Sequence, residues 1–410
     1  MKLSADVAIV GAGPVGLLLA NLLARSGIRT VLVEKNDTTA VHSRAIGITP
    51  PSLEILESLE LQDRFIEEGL PIRSVHVHGS RRSLGRVTFD QLPSPYRFIL
   101  SIPQRKTEQL LLEHLRTASC VRLLMNCEME GLEEGADSVT VRARLTGAGP
   151  PVSAEERQNT EQVEITARYL CGCDGLHSTV RTEAGLSMRG KHYSDTFLMG
   201  DYIDRSGYGA EAQLFFTSAG SVESFPLPRN RRRWIVQTPA LMDPPSEGYL
   251  EKEVKRRSRQ SLSRKDNEWL SPFRVSTYIM PRFYRGRIIF IGDAAHTISP
   301  IGGQGMNTGF ADAELAAHTL QVLLQSGHSS AALEQYHIRR RRAAVTAARR
   351  GWLSMRVGTV HGRLFSPLRN AALRLLLASR AARRLPLHYA MLTIPHRNLK
   401  ASKTHPKPAR

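Results

Sequence analysis

The chain opens with a dinucleotide-binding signature. An apolar run, Ala5-Asp6-Val7-Ala8-Ile9-Val10, leads straight into Gly11-Ala12-Gly13-Pro14-Val15-Gly16. Leu17 to Arg25 has helical patterning, Gly27 closes it, and Arg29 to Val33 reads as a second strand ending at Glu34. A strand, a glycine turn, a helix and a second strand ending in an acid are the setting a G-x-G-x-x-G needs to bind a dinucleotide. Gly11 makes the tight turn, Gly13 admits a pyrophosphate, and Gly16 lets helix and strand pack closely. Pro14 and Val15 of the turn are expected in the same cofactor site, and the helix N-terminus favours phosphate charge. Glu34 is placed to accept hydrogen bonds from ribose hydroxyls, with Lys35 beside it, and would repel a 2′-phosphate. This half alone does not choose between FAD and NAD.

A second element lies almost three hundred residues later. Arg287 to Ile291 is an apolar run that reads as a buried strand. It is followed by Gly292-Asp293-Ala294-Ala295-His296, then Pro300, then Gly302-Gly303-Gln304-Gly305-Met306-Asn307, and then a long helical pattern. An acid at a strand end can hold sugar hydroxyls, and the glycines let backbone approach a flat ring closely. FAD, with its ribityl chain and isoalloxazine, needs such groups far from the first motif; NAD does not.

With these motifs in order, the chain resembles the class A flavoprotein monooxygenases, the para-hydroxybenzoate hydroxylase and phenol hydroxylase group. Two further stretches carry the resemblance: His42-Ser43-Arg44-Ala45-Ile46-Gly47-Ile48 with a helix from Pro51 to Leu59, and Cys173-Asp174-Gly175-Leu176-His177-Ser178-Thr179-Val180-Arg181. Leu100-Ser101-Ile102-Pro103-Gln104 also fits. The resemblance implies Arg44 near the FAD pyrophosphate, and Gln104 and Asp293 at the ribityl chain. It implies Pro300 near the flavin ring, and backbone around Gly305, Met306 and Asn307 at its pyrimidine end. Asp174 and Arg181 are implied in contacts with FAD and the nicotinamide donor. Their bland alternatives are a turn cap with Ser178 and a pair with a surface carboxylate. His296 reads as structural rather than as a base.

The fold expected is α/β: a discontinuous, Rossmann-like FAD-binding domain of the glutathione reductase type, interleaved with a mixed-sheet substrate domain and followed by C-terminal helices. Residues 1–72, 98–184 and 275–335 are assigned to the first, 73–97 and 185–274 to the second, 336–396 to the helices and 397–410 to a disordered tail. Residues 145–162, rich in Pro and Gly, read as a hairpin loop. Pro367 to Leu385 reads as one amphipathic helix with Leu368, Ala371, Ala372, Leu375 and Leu376 on one side. It either packs on the flavin domain or makes weak peripheral contact with a membrane.

The net charge is +18, most of it arginine. Arg231-Arg232-Arg233 is placed in a turn, Lys255-Arg256-Arg257 on a polar helix, and Arg339 to Arg342 after Tyr336. No nucleic-acid motif or aromatic-interleaved basic patch accompanies these runs, so solvated charge or attraction of anionic cofactors is the expectation, with no nucleic acid. Four cysteines, Cys120, Cys127, Cys171 and Cys173, lack metal-ligand spacing, so no metal is expected and a reducing, cytoplasmic setting is. With a strand starting at residue 5, no signal peptide is expected.

The resemblance implies non-covalent FAD reduced by NADPH or NADH, O2 adding at flavin C4a as a hydroperoxide, and an oxygen atom passing to an aromatic, phenolic or polyketide-like molecule. An epoxidase or reductase of a lipophilic isoprenoid-type substrate stays open as the alternative, as does the oligomeric state. No motif marks a catalytic base; Tyr193, Tyr202, Tyr278 and Tyr284 fall in regions where one could lie.

Overall fold

The computed structural model describes residues 1–37, 45–80, 82–145, 161–246, 248–299, 303–362 and 364–391. Arg44, Pro300, most of the 145–162 loop and the 397–410 tail lie outside the described residues.

Among the described residues, two eight-stranded sheets and a small three-stranded one organise the fold. In the first, Ile288–Phe290, Glu161–Gly172, Lys2–Val10, Thr30–Val33 and Val121–Leu124 run parallel in that order. Val7, Ala8, Ile9, Leu32, Ile288 and Ile289 are buried because helices cover the parallel strands. Cys127–Glu134 and Val139–Leu145 extend the sheet antiparallel onto Glu161–Gly172. Helix Pro14–Arg25 presents Leu18, Leu19, Leu22 and Leu23 to this core. Helix Gln304–Ser326 packs against it through Ala313, Ala316, Leu320 and Leu323.

The second sheet has the order His296–Thr297, Asn267–Ile279, Arg189–Ile203, Arg231–Thr238, Gly220–Leu227, Ala212–Thr217, Ser74–His78 and Ser83–Thr88. Leu198, Tyr202, Val222, Trp234 and Val236 face outward, under Leu250 and Val254 of helix Tyr249–Ser258. Alternate residues therefore face inward, over the first sheet's glycine turns. Strand Asn267–Ile279 passes through the expected boundary at 274, and helix Ser330–Thr359 passes through the one at 335.

The basic runs are not uniformly solvated. Arg231 to Arg233 begin a strand; the turn lies just before, with Arg229 and Asn230 at positive φ. Arg232 is fully buried and reaches Asp204 at 2.8 Å. Arg233 makes two bonds to Asp201, at 2.7 and 2.8 Å, and lies over the Trp269 ring. Arg257 is buried against Glu253. These corrections share one cause: an element with a buried face turns at least one member of a basic run inward, where it is held by a carboxylate.

The expected helix from Pro367 to Leu385 is broken. Helix Phe365–Ala378 ends at Ser379, whose backbone is extended and whose hydroxyl accepts from the Ala381 amide; a 3-10 turn and helix Leu385–Ala390 follow. The helix also docks through its other face. Arg369 bonds the Val360 carbonyl and covers the Phe216 ring, and Asn370 donates to the Phe216 carbonyl. Leu368 and Leu375 are left 70% and 75% exposed.

One ionic cluster ties the core together. Asp312 accepts from Arg340, from His296 Nε2 at 2.5 Å and from the Gly292 amide at 3.0 Å; Arg340 also donates to the Thr308 carbonyl at 2.9 Å. All three side chains are inaccessible to solvent. Burial would raise the Asp312 pKa, but Arg340 and His296 hold it down at about 2. Asp312→Asn leaves a buried guanidinium without its counter-charge and is expected to lower unfolding stability by about 3–5 kcal/mol in urea titration. The depressed carboxyl stabilises the fold fully above its unfolded value of about 4. That contribution is lost as pH falls towards 2, so tryptophan fluorescence should report acid unfolding beginning at higher pH in the Asn variant.

Candidate functional site

A cavity of about 1280 Å³ lies between the two large sheets. Of the expected site residues, Gly11, Gly13, Pro14, Val15, Glu34, Lys35, Gln104, Asp174, Asp293, Gly305 and Met306 line it. Gly16, Arg181, Gly292 and Asn307 stand behind its wall.

The first glycine turn divides its labour by position. Gly11 has φ +101, and a Cβ there would meet the Cys173 carbonyl oxygen at 2.5 Å. A Cβ on Gly16 would sit 1.9 Å from the Gly11 oxygen, so this glycine is required by the turn's own packing. Gly13 is different: its φ is −68 and a Cβ would meet nothing within 4 Å. Its open side is the cavity, at the N-terminus of helix Pro14–Arg25, where unpaired amides suit a phosphate. Glu34 Oε2 accepts from the Ala12 amide at 2.7 Å and Oε1 from Asn36, which fixes the acid at the rim of the turn.

The Gly-Asp element brings a second helix start to the same cavity. Asp293 follows the buried strand Ile288–Phe290, on a one-turn 3-10 segment Gly292–Ala294. Its side chain is accessible from the cavity yet surrounded by protein, and this burial raises its carboxyl pKa. Gly303 is left-handed, φ +65, and caps helix Gln304–Ser326; Cβ atoms on Gly303 or Gly305 would meet open space. Asn307 anchors this start: Oδ1 accepts from the Thr49 amide and the Ser52 hydroxyl, while Nδ2 donates to the Gly47 and Gly303 carbonyls. Gln104 starts helix Gln104–Leu115 and bonds Glu108 at 2.8 Å.

Asp174 caps the turn after it, as the blander reading had it. Its Oδ2 accepts from the Val180 amide at 3.0 Å, while Oδ1 is buried with no partner among the described residues, and burial raises its pKa. Arg181 pairs with no surface carboxylate among the described residues. It donates to the Leu176 and Ala294 carbonyls, at 2.6 and 2.9 Å, and so joins the Asp-Gly turn to the Gly-Asp turn. His296 is buried on Asp312.

These features fit FAD. Two helix starts offer amides, Gly13, Gly303 and Gly305 leave open space, and Asp293, Gln104 and the unpaired Asp174 oxygen lie at the cavity wall. The roof is of another character. Phe197, Met199, Leu214, Phe216, Ile235 and Phe273 make an apolar ceiling, and Leu373, Leu377 and Tyr389 from the C-terminal helices border it. None of the four suspected tyrosines lines the cavity. Tyr202 faces the opposite side and bonds Glu251; Tyr284 bonds Glu334. The acid of the ceiling, Glu223, has no sequence motif around it; only strand alternation from Val222, once the outer face is known, marks it as inward.

Comparison with known proteins agrees with this geometry. The FAD binding domain family matches residues 4–351. An uncharacterized aromatic compound monooxygenase of Bacillus subtilis is 30% identical over 84% of this chain and 67% of its own length. The 6-methylpretetramide 4-monooxygenase of Streptomyces rimosus is 32% identical over 79% of this chain and 57% of its own length. The chain thus spans from little more than half to about two thirds of these relatives. Among solved structures, p-nitrophenol 4-monooxygenase from Pseudomonas putida superposes with a TM-score of 0.84 at 23% identity, covering 96% of this chain and 98% of that one. Anhydrotetracycline hydroxylase from Streptomyces rimosus superposes at 0.77 with 26% identity, covering 95% and 76%.

The two inner glycines make a matched test. Gly16→Ala forces a steric clash and is expected to destabilise the protein by about 1–3 kcal/mol. Gly13→Ala should leave apoprotein stability within about 0.5 kcal/mol while weakening FAD retention. Thermal unfolding of apoprotein and flavin release on gel filtration separate the two.

Proposed function

The chain belongs to the class A FAD-dependent monooxygenases, and from that premise we propose that it hydroxylates an aromatic small molecule, phenolic or polyketide-like, using NAD(P)H and O2. The observation that carries this reading is one cavity bounded on one side by the dinucleotide turns and on the other by an apolar, aromatic ceiling. Bound FAD supplies hydride acceptance from the nicotinamide and activation of O2 for transfer of one oxygen atom. The protein's part is binding, orientation and exclusion of water.

Glu34 would hold the adenosine ribose, Gly13 and the Pro14–Arg25 helix start the pyrophosphate, and Asp293 with Gln104 the ribityl hydroxyls. The Gly303–Met306 helix start would face the flavin's pyrimidine edge. There is no second G-x-G-x-x-G in the sequence, so the nicotinamide would dock transiently, near Arg44 and the turn that Asp174 and Arg181 brace. The ceiling, rich in Phe, Met and Leu, suits a flat apolar ring system. It also supports an isoprenoid epoxidation as the second reading, which uses the same O2 chemistry on an alkene.

On this reading, purified protein is yellow and releases FAD when denatured. NAD(P)H-dependent oxygen uptake should rise with members of a phenol and polyketide panel, giving products one oxygen heavier by mass spectrometry. Products from alkenes alone would favour the epoxidase. Asp293→Ala removes a charged hydrogen-bond acceptor and should weaken FAD binding roughly ten- to hundredfold by fluorescence titration. An unchanged dissociation constant would remove Asp293 from the site.

Among the described residues no helix is long and apolar enough to cross a membrane. The exposed leucine face of helix Phe365–Ala378, with Arg374 beside it, supports peripheral membrane contact in addition. Co-sedimentation with anionic liposomes should fall at high salt and in Leu368→Ser/Leu375→Ser, with FAD content unchanged.

A further inference from the structure

The ceiling sheet contributes one carboxyl group to the cavity among the described residues, that of Glu223. It stands in register with Leu214 on one neighbouring strand and Ile235 on the other. Phe225 is two residues along its own strand, on the same face. The side chain is half-buried, lines the cavity, and has no hydrogen-bond or ion-pair partner among the described residues. An acid set in an apolar cavity wall without a partner is unfavourable for folding. Leucine would pack there at less expense, so the placement points to a ligand group that completes it.

We propose that Glu223 receives the hydroxyl of a phenolic substrate and takes its proton. The inference rests on the hydroxylase reading given above. The substrate O–H bond breaks and an O–H bond forms on a Glu223 carboxylate oxygen. The electron pair left on the phenolate oxygen enriches the ring carbons that receive oxygen. The site accordingly selects a neutral phenol, with its hydroxyl donating towards the ceiling, over the corresponding ether.

Titration supports the geometry. Burial alone pushes the Glu223 carboxyl up to about 7, near where a general base works best. The charged groups on the elements packed against its strand are otherwise engaged. On strand Arg231–Thr238, Arg233 is held by Asp201 of the next strand. On helix Ser330–Thr359, Arg350 donates to the His388 carbonyl, and His388 itself lines the cavity. Strands Ala212–Thr217, Leu70–Ile72 and Ile99–Ser101 bring no charged side chain to the cavity, and helix Tyr249–Ser258 packs on the far face, where Arg257 is paired with Glu253.

The test is binding of 2-naphthol and 2-methoxynaphthalene to the FAD-loaded protein without NAD(P)H, followed by flavin absorbance from pH 5.5 to 8.5. Below about 7 the protonated acid can donate to either oxygen, and the two ligands should bind alike. Above it the carboxylate only accepts, and naphthol should be favoured roughly ten- to hundredfold. In Glu223→Gln the amide both donates and accepts, so preference and pH dependence should disappear while FAD content stays unchanged and ether affinity at every pH matches that of wild type below about 7. If wild type hydroxylates phenols but the Gln variant keeps the same pH-dependent preference, the role of Glu223 is overturned and the hydroxylase reading stands. If wild type binds neither ligand and no phenol stimulates oxygen uptake, both fall. Binding of both ligands equally at every pH also overturns the proposal.

Discussion

Asp312 is enclosed by protein, yet it stays ionised because Arg340 and His296 lie against it. The same carboxylate accepts the Gly292 amide, so one buried charge joins the Gly-Asp turn, the middle of helix Gln304–Ser326 and helix Ser330–Thr359. The position of Asp293 depends on this link, as it is the next residue after Gly292. Arg181 adds a second tie by bonding the Ala294 carbonyl from the Asp-Gly turn. The cavity floor is therefore a set of turns with few independent degrees of freedom. Such rigidity suits a cofactor whose two ends bind far apart in the chain.

The ceiling obeys a different logic. Its central strands are covered by Tyr249–Ser258 outside and border the cavity inside. Arg232 and Arg233, adjacent in sequence, point to opposite faces, and each finds its own carboxylate. Removing either acid would strand a buried cation, which is more damaging than removing an exposed pair. Much of the chain's basic character is exposed, but these arginines organise the sheet rather than meet a partner. Glu223 is the exception on this wall, an acid with no hydrogen-bond or ion-pair partner among the described residues.

The C-terminal segment links surface and site. Helix Phe365–Ala378 docks through Arg369 and Asn370, and Leu373 and Leu377 reach the cavity while Leu368 and Leu375 face solvent. Hydrophobic patterning alone favours burying the wider leucine face. Two directional bonds to the Phe216 and Val360 carbonyls, and an arginine on an aromatic ring, override it.

The parts of the fold legible in sequence were those where the local chain dictates the outcome. Gly11 needs a positive φ, Gly16 cannot carry a Cβ against its own turn, and the apolar runs before Gly11 and Gly292 are strands because helices cover them. Two such turns far apart in the chain were sufficient for FAD. What could not be read locally was which way a side chain points once two layers meet. Arg181 bonds carbonyls rather than a surface acid, Asn307 braces Thr49 and Ser52 behind the wall, and none of the suspected tyrosines lines the cavity. Glu223 faces in because its strand lies between two others under a helix that claims the opposite face. The sequence by itself determined the glycine turns that border the cavity, since glycine geometry and charge act over a few residues. The tertiary structure alone decided the ceiling of the cavity, since burial of a side chain depends on what packs across from it.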